Sequence, residues 1–211
     1  MPSISLETLS AFALTSLVIE LTPGPNMAYL AVLSVGHGRR VGVAATLGVA
    51  LGLLIVGVGA ALGLAALISS SSLLYEALRW AGFAYLMWLA WEGWQDATET
   101  SPARSQIDEP DSAFFKRGLI TNLLNPKAAV FYIAVLPRFV EPGIPALGQA
   151  VSLSVVYVSI ATVIHLAIVL LAGSARPFLD DPNRIRSVRR TLSLSLAVIA
   201  VWFTWSTGRA A

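Results

Sequence analysis

The sequence predicts an all-α integral membrane protein of six transmembrane helices, arranged as two inverted three-helix repeats whose first and fourth helices are broken at prolines. Three observations carry this. Hydrophobic residues make up 56% of the 211 and charged residues 12%, about half the charge of a soluble domain. Prolines interrupt an apolar stretch at corresponding places in the two halves, at Thr22-Pro23-Gly24-Pro25-Asn26 and at Asn125-Pro126-Lys127. A polar segment holding Asp96, Glu99, Asp108, Glu109 and Asp111 against a single Arg104 then divides the chain into residues 1–95, a cytoplasmic acidic linker at 96–112, and residues 113–211. At about 20 residues per span there is room for six spans and short loops, and no separate soluble domain fits.

The first span is expected over residues 6–36, with its break inside. No Lys or Arg precedes it and Glu7 is acidic, so it lacks the basic leader of a cleaved signal and is expected to stay in the protein. The second, residues 41–67, carries Gly48, Gly52, Gly59 and Gly63 in two small-xxx-small pairs, a pattern for close helix packing. In the third, residues 74–94, Trp80, Tyr85, Trp88, Trp91 and Trp94 read as an interfacial aromatic belt; Ser69–Ser72 before it reads as a polar turn. The fourth, 113–137, holds the second break. The fifth covers 147–172 and the sixth 190–207, with the cluster Arg184, Arg186, Arg189 and Arg190 in the loop between them, where it sets topology and meets anionic lipid.

Orientation follows from basic residues. Ten of the fourteen Lys and Arg fall after the first, third and fifth spans, whereas Arg79, Arg138 and Arg209 fall on the other side and Lys127 lies inside a span. Positive loops stay in the cytoplasm, so both termini are expected outside it. Three spans per half is an odd number, so the second half enters the membrane in the opposite sense, as in many secondary transporters. Pro25 lies 14 residues before Arg39 and Pro126 lies 9 after Arg117. At about 1.5 Å per residue these are roughly 21 and 14 Å from the cytoplasmic face, either side of the midplane.

In hydrocarbon a backbone break survives only where it is buried in protein or lines a polar cavity. Proline suits the first turn of a helix, so Pro25 and Pro126 each start a half-helix whose first amides, those of Asn26, Met27 and Ala28 and of Lys127, Ala128 and Ala129, are expected to point unpaired at the centre with partial positive charge. Lys127 adds a full charge, suited to a carboxylate. The facing ends near Leu21 and Leu124 present carbonyls, and Glu20 beside them suits an ammonium group or a proton. The candidate substrate-binding residues are therefore Glu20, Thr22, Pro23, Gly24, Pro25, Asn26, Asn122, Asn125, Pro126 and Lys127, and those for proton coupling are Glu20 and His165. Plainer readings stand beside these: Glu20 snorkels or pairs structurally with Lys127, His165 bonds a neighbouring helix, and the three asparagines cap the broken ends.

Other chemistries find little footing. There is no cysteine, hence no thiolate catalysis or metal site. His37 and His165 are the only histidines, so no metal or cofactor is expected. No phosphate loop, HExxH or G-x-S-x-G occurs, which argues against an enzyme. The net charge of +2 and pI near 9.2 come from loop arginines rather than a basic face, so nucleic acid is not an expected partner.

Leu21 to Asn26, the run Gly36-His37-Gly38-Arg39-Arg40-Val41-Gly42, Ala81-Gly82-Phe83-Ala84-Tyr85-Leu86, Phe115-Lys116-Arg117-Gly118, Asn122-Leu123-Leu124-Asn125-Pro126-Lys127-Ala128 and Leu136-Pro137-Arg138-Phe139-Val140 together resemble the LysE/RhtB family of amino-acid exporters, in order and spacing over almost the whole chain. The resemblance implies export of amino acids or related metabolites across the bacterial inner membrane, driven by protons, from a six-helix fold in contact with lipid that can form a homodimer. The sequence departs from the family pattern at Leu53-Leu54, where members often carry a polar residue, and in the fifth span, where Ser159, Thr162 and His165 stand in place of an Asp. With fewer carboxylates, Glu20 becomes the expected proton carrier. The expected mechanism is alternating access by rocking of the two repeats; a channel or ion exporter on the same scaffold is the alternative.

Overall fold

The computed structural model describes residues 4–63, 71–96, 110–143, 145–175 and 182–206, and these are helical almost throughout, with no strand among them. The helices are α1 (Leu6–Leu21), α2 (Pro25–His37), α3 (Arg39–Ala61), α4 (Ser72–Asp96), α5 (Asp111–Leu123), α6 (Pro126–Val130), α7 (Ala146–Ala175) and α8 (Pro182–Ser206). Most of the acidic linker, Ser69 and Ser70 lie outside the described residues.

Both prolyl breaks are present. α1 and α2 meet at 57°, and α5 meets the segment Lys127–Phe139 at 50°. α3 and α7 are long and apolar enough to cross a membrane unbroken, and each bent pair passes the same test when its two helices are taken together. The described residues are thus all-α, with two straight candidate membrane spans and up to four if each bent pair is one span, as in an integral membrane protein. α4 and α8 are 25 residues each but fall outside the same limits of apolarity and charge. The arginines expected in a loop before the sixth span belong to the first turns of α8, which starts at Pro182, a residue suited to a helix's first position.

Contacts between helices set their directions. Arg40 Nε lies 2.9 Å from Asp111 Oδ2 and Gly52 abuts Asn122, so α3 and α5 run parallel. The Ser5 amide and hydroxyl donate to Glu141 at 3.2 and 2.8 Å, and Phe12 meets Phe131 and Phe139 edge-on at 5.8 and 5.2 Å; α1 thus runs against the α5–α6 span. Arg39 donates to Ser174 while Gly57 faces Ser154, making α3 antiparallel to α7. Arg79 donates to the Thr204 carbonyl at 3.4 Å and the Arg190 guanidinium sits 5.1 Å over Trp94, making α4 antiparallel to α8.

Small residues allow the tightest crossing. A Cβ on Gly48 would strike the Phe115 carbonyl, and one on Gly118 the Ala45 carbonyl, so α3 and α5 touch backbone to backbone. Gly52 serves the same face. Gly63 does not: it has φ 93° with nothing packed on it, and turns the chain after α3. Trp80, Trp88 and Trp91 are exposed, as an interfacial belt requires.

Two apolar clusters result. Phe12, Val49, Leu53, Phe131, Tyr132, Leu153 and Tyr157 join α1, α3, the α6 region and α7. Leu30, Leu33, Leu86, Leu89, Phe114 and Leu196 join α2, α4, α5 and α8. The chain passes from the first cluster to the second through the break at residues 22–24.

Candidate functional site

The buried residues of α1 are Phe12, Ser16 and Glu20, one per turn, so helical periodicity carries Glu20 to the interior end of the helix at 4% exposure. α1 stops at Leu21 and Pro25 opens α2 after three extended or bent residues. In the second half α5 stops at Leu123, the Asn125 side chain accepts the Lys127 amide at 3.0 Å as a cap, and Pro126 opens α6.

The two breaks meet. Asn26 Nδ2 donates to Asn122 Oδ1 at 2.8 Å, and Lys127 Nζ donates to the Thr22 carbonyl at 2.8 Å. The methylenes of Lys127 pass over Gly24, where a Cβ would stand 3.1 Å from Lys127 Cδ. Gly24 is thus the space through which the second break reaches the first.

Glu20 is the hub. Tyr157 donates its hydroxyl to Oε2 at 2.9 Å, Lys127 Nζ lies 3.8 Å from Oε2, and His165 Nε2 lies 3.0 Å from Oε1 without the alignment of a straight hydrogen bond. Both α7 residues are 1% exposed. A carboxylate taken out of water is costly unless paired and hydrogen-bonded, and here three side chains from two other helices share that role. The pairing of Glu20 with Lys127 and the contact of His165 with a neighbouring helix, the plainer readings of the sequence, both occur.

The six expected unpaired amides do not all remain so. The Ala28 amide bonds the Gly24 carbonyl at 3.1 Å and the Ala129 amide the Asn125 carbonyl at 3.3 Å, and the Asn125 side chain takes Lys127. The half-helices begin hydrogen bonding one residue before their prolines, which consumes donors the sequence reading left open. Asn125 caps, whereas Asn26 and Asn122 bond each other. Ser159 turns its hydroxyl to the Val155 carbonyl at 2.8 Å and takes no part. Among the described residues no group of His, Cys, Asp and Glu is arranged to hold a metal.

Several buried polar atoms here lack a protein partner: Ser16 Oγ, Asn26 Oδ1, Asn122 Nδ2 and His165 Nδ1. Each such group costs roughly 1–3 kcal/mol when left unpaired. Sequence reasoning passed over Ser16 and Tyr157. The signal for both was helical spacing: Ser16 lies one turn before Glu20, and Tyr157 lies about two turns before His165 on the same side of α7.

Two bent helix pairs whose broken ends meet at a buried acid and a lysine are the arrangement expected of a membrane transport protein. The chain belongs to the LysE type translocator family, whose model matches residues 17–207. It is 33% identical over 85% of its length to 87% of the homoserine/homoserine lactone efflux protein of Salmonella typhimurium. It is 29% identical over 74% of its length to 74% of the leucine efflux protein of Enterobacter sp., and 33% identical over 75% of its length to 76% of that of Salmonella choleraesuis. No solved structure matches the chain.

Proposed function

We propose that this protein exports amino acids or closely related small metabolites across the inner membrane, coupled to protons, by alternating access. The observation that carries the reading is the buried Glu20–Lys127 pair at the junction of the two breaks, 3.8 Å apart, with His165, whose Nδ1 lacks a partner, 3.0 Å from the same carboxylate. A zwitterion complements that pair. Its carboxylate takes the Lys127 ammonium and the start of α6, its ammonium takes Glu20, and its polar remainder takes atoms such as Asn26 Oδ1 and Asn122 Nδ2. Protonation of Glu20 then weakens its hold on the substrate ammonium, with His165 3.0 Å away as the group that passes the proton. Relatives named for the efflux of leucine, homoserine and its lactone favour small substrates of this chemistry.

The same reading places six spans in the membrane as inverted repeats, α1–α2, α3 and α4 against α5–α6, α7 and α8, with both termini outside and the acidic linker in the cytoplasm. Three features support it. The two broken spans run antiparallel, and α3 pairs with α7, its counterpart in the other half. α4 likewise pairs with its counterpart α8.

The test uses purified protein in proteoliposomes with an imposed pH gradient and labelled leucine or homoserine. The native chain is expected to give saturable, gradient-driven uptake, and Glu20→Gln to lower it at least about tenfold while remaining inserted. Undiminished gradient-driven transport by Glu20→Gln would refute the assignment of the proton and ammonium site.

A further inference from the structure

We propose that a second charged pair, Glu92 with Arg117, latches a cytoplasmic access path to this junction. The inference rests on the export reading and orientation given above. A cavity runs beside α2, lined by Tyr29, Leu33 and His37 from that helix, Leu89 and Glu92 from α4 and Arg117 from α5. The α2 residues repeat at four-residue intervals, so the cavity follows one face from a turn beyond the first break to the end of the helix, about 12 Å at 1.5 Å per residue. Its volume is about 40 Å³. At about 10–15 Å³ per water it holds a few waters and is too narrow for an amino acid.

What closes it is specific. Arg117 reaches Glu92 with both terminal nitrogens at 3.1 Å, one to each carboxylate oxygen, the fork geometry in which arginine binds carboxylate most tightly. Its guanidinium also lies 5.9 Å from the Trp88 ring and 5.5 Å from that of Phe114, and Tyr85 donates to its carbonyl at 3.4 Å. Tyr85, Trp88 and Glu92 form one stripe of α4, and α4 touches α5 little. α5 is pinned to α3 through Gly118, while α4 packs along α8. The pair therefore joins two helices that otherwise touch little, and parting it widens the cavity toward the junction. An acid and a guanidinium at the entrance also match the two ends of a zwitterion on its way to Glu20 and Lys127.

Because the chain has no cysteine, Val32→Cys places a single thiol beside the cavity. Its labelling by a membrane-impermeant maleimide is measured from each face in oriented vesicles, alone and combined with Glu92→Gln. Breaking the latch is expected to speed labelling from the cytoplasmic face about fivefold, and exchanging the charges with Glu92→Arg and Arg117→Glu is expected to slow it again. Rescue by exchange marks an ion pair, since loss of packing alone is not repaired by swapping charges. An unchanged labelling rate in Glu92→Gln, or faster labelling only from the opposite face, overturns the proposal. If labelling responds as expected while the native chain moves no amino acid, the latch stands and the export reading falls.

Discussion

Lys127 binds the Thr22 carbonyl more closely, at 2.8 Å, than it approaches Glu20, at 3.8 Å, and the difference has a consequence for stability. Its hydrogen bond holds the second break to the first, while its charge offsets the buried carboxylate. Lys127→Met leaves that carboxylate without its cation, and removing one partner of a buried pair costs about 3–5 kcal/mol. The double variant Glu20→Gln with Lys127→Met is expected to unfold at a higher temperature in detergent than Lys127→Met alone. Equal or lower stability in the double variant would show that the two charges are not coupled. At the opposite end of α1 a weaker contact is open to water. Hydroxyls of Thr8 and Ser5, with the Ser5 amide, hold the Glu141 carboxyl below the ordinary glutamate value. A depressed acid stabilises the fold above its unfolded pKa, and the contribution is lost as pH falls through the folded one. The protection of the Ser5 amide against exchange, relative to the rate of an unstructured amide at the same pH, is therefore expected to fall below about pH 4.5, and Glu141→Gln to remove that pH dependence.

Among the helices, the α3–α5 crossing has least room for change. Gly48 and Gly118 each lie against a carbonyl of the other helix, and backbone cannot swing aside as a side-chain end can. Gly118→Val is expected to cost about 3 kcal/mol or more and to lower the melting temperature by several degrees; an unshifted melt would place the contact elsewhere. This crossing was legible in the spacing of Gly48 and Gly52, and so were both breaks, because proline removes a donor and clashes with the preceding turn. Two other features were not. Residues 131–135 wind as a π-helical turn and Leu136–Phe139 as a 3₁₀ turn, where apolarity alone reads as one uniform helix; Pro137, which lacks an amide, lies just beyond the change. The start of α8 was also obscured, since a hydropathy window finds where a helix turns apolar and arginine-rich first turns fall outside it.

At the scale of the whole molecule the halves interlock. α3 of the first half packs between α5 and α7 of the second, and α4 packs along α8. The sequence showed that two breaks exist and can face one another, and from charge alone that Glu20 and Lys127 belong together. It did not show that Tyr157 completes the site, because a tyrosine in an apolar span carries no mark until the fold turns it toward a carboxylate. Nor did it show the division into an α4–α8 pair and the helices around α3, since which spans pack together depends on faces that composition does not distinguish. That division can be tested. A Cβ at Gly93 would stand 3.9 Å from Ser193 Cβ, within the 3.5–4.5 Å or so that a disulfide spans. Gly93→Cys with Ser193→Cys is therefore expected to oxidise readily and to tie α4 to α8. If the pair moves as one unit during export, the oxidised protein keeps at least about half of the transport of its reduced form, because the bond joins parts that do not separate. Transport that stops on oxidation and returns with reductant would mean that α4 and α8 slide past each other, and the moving seam would have to be drawn between them.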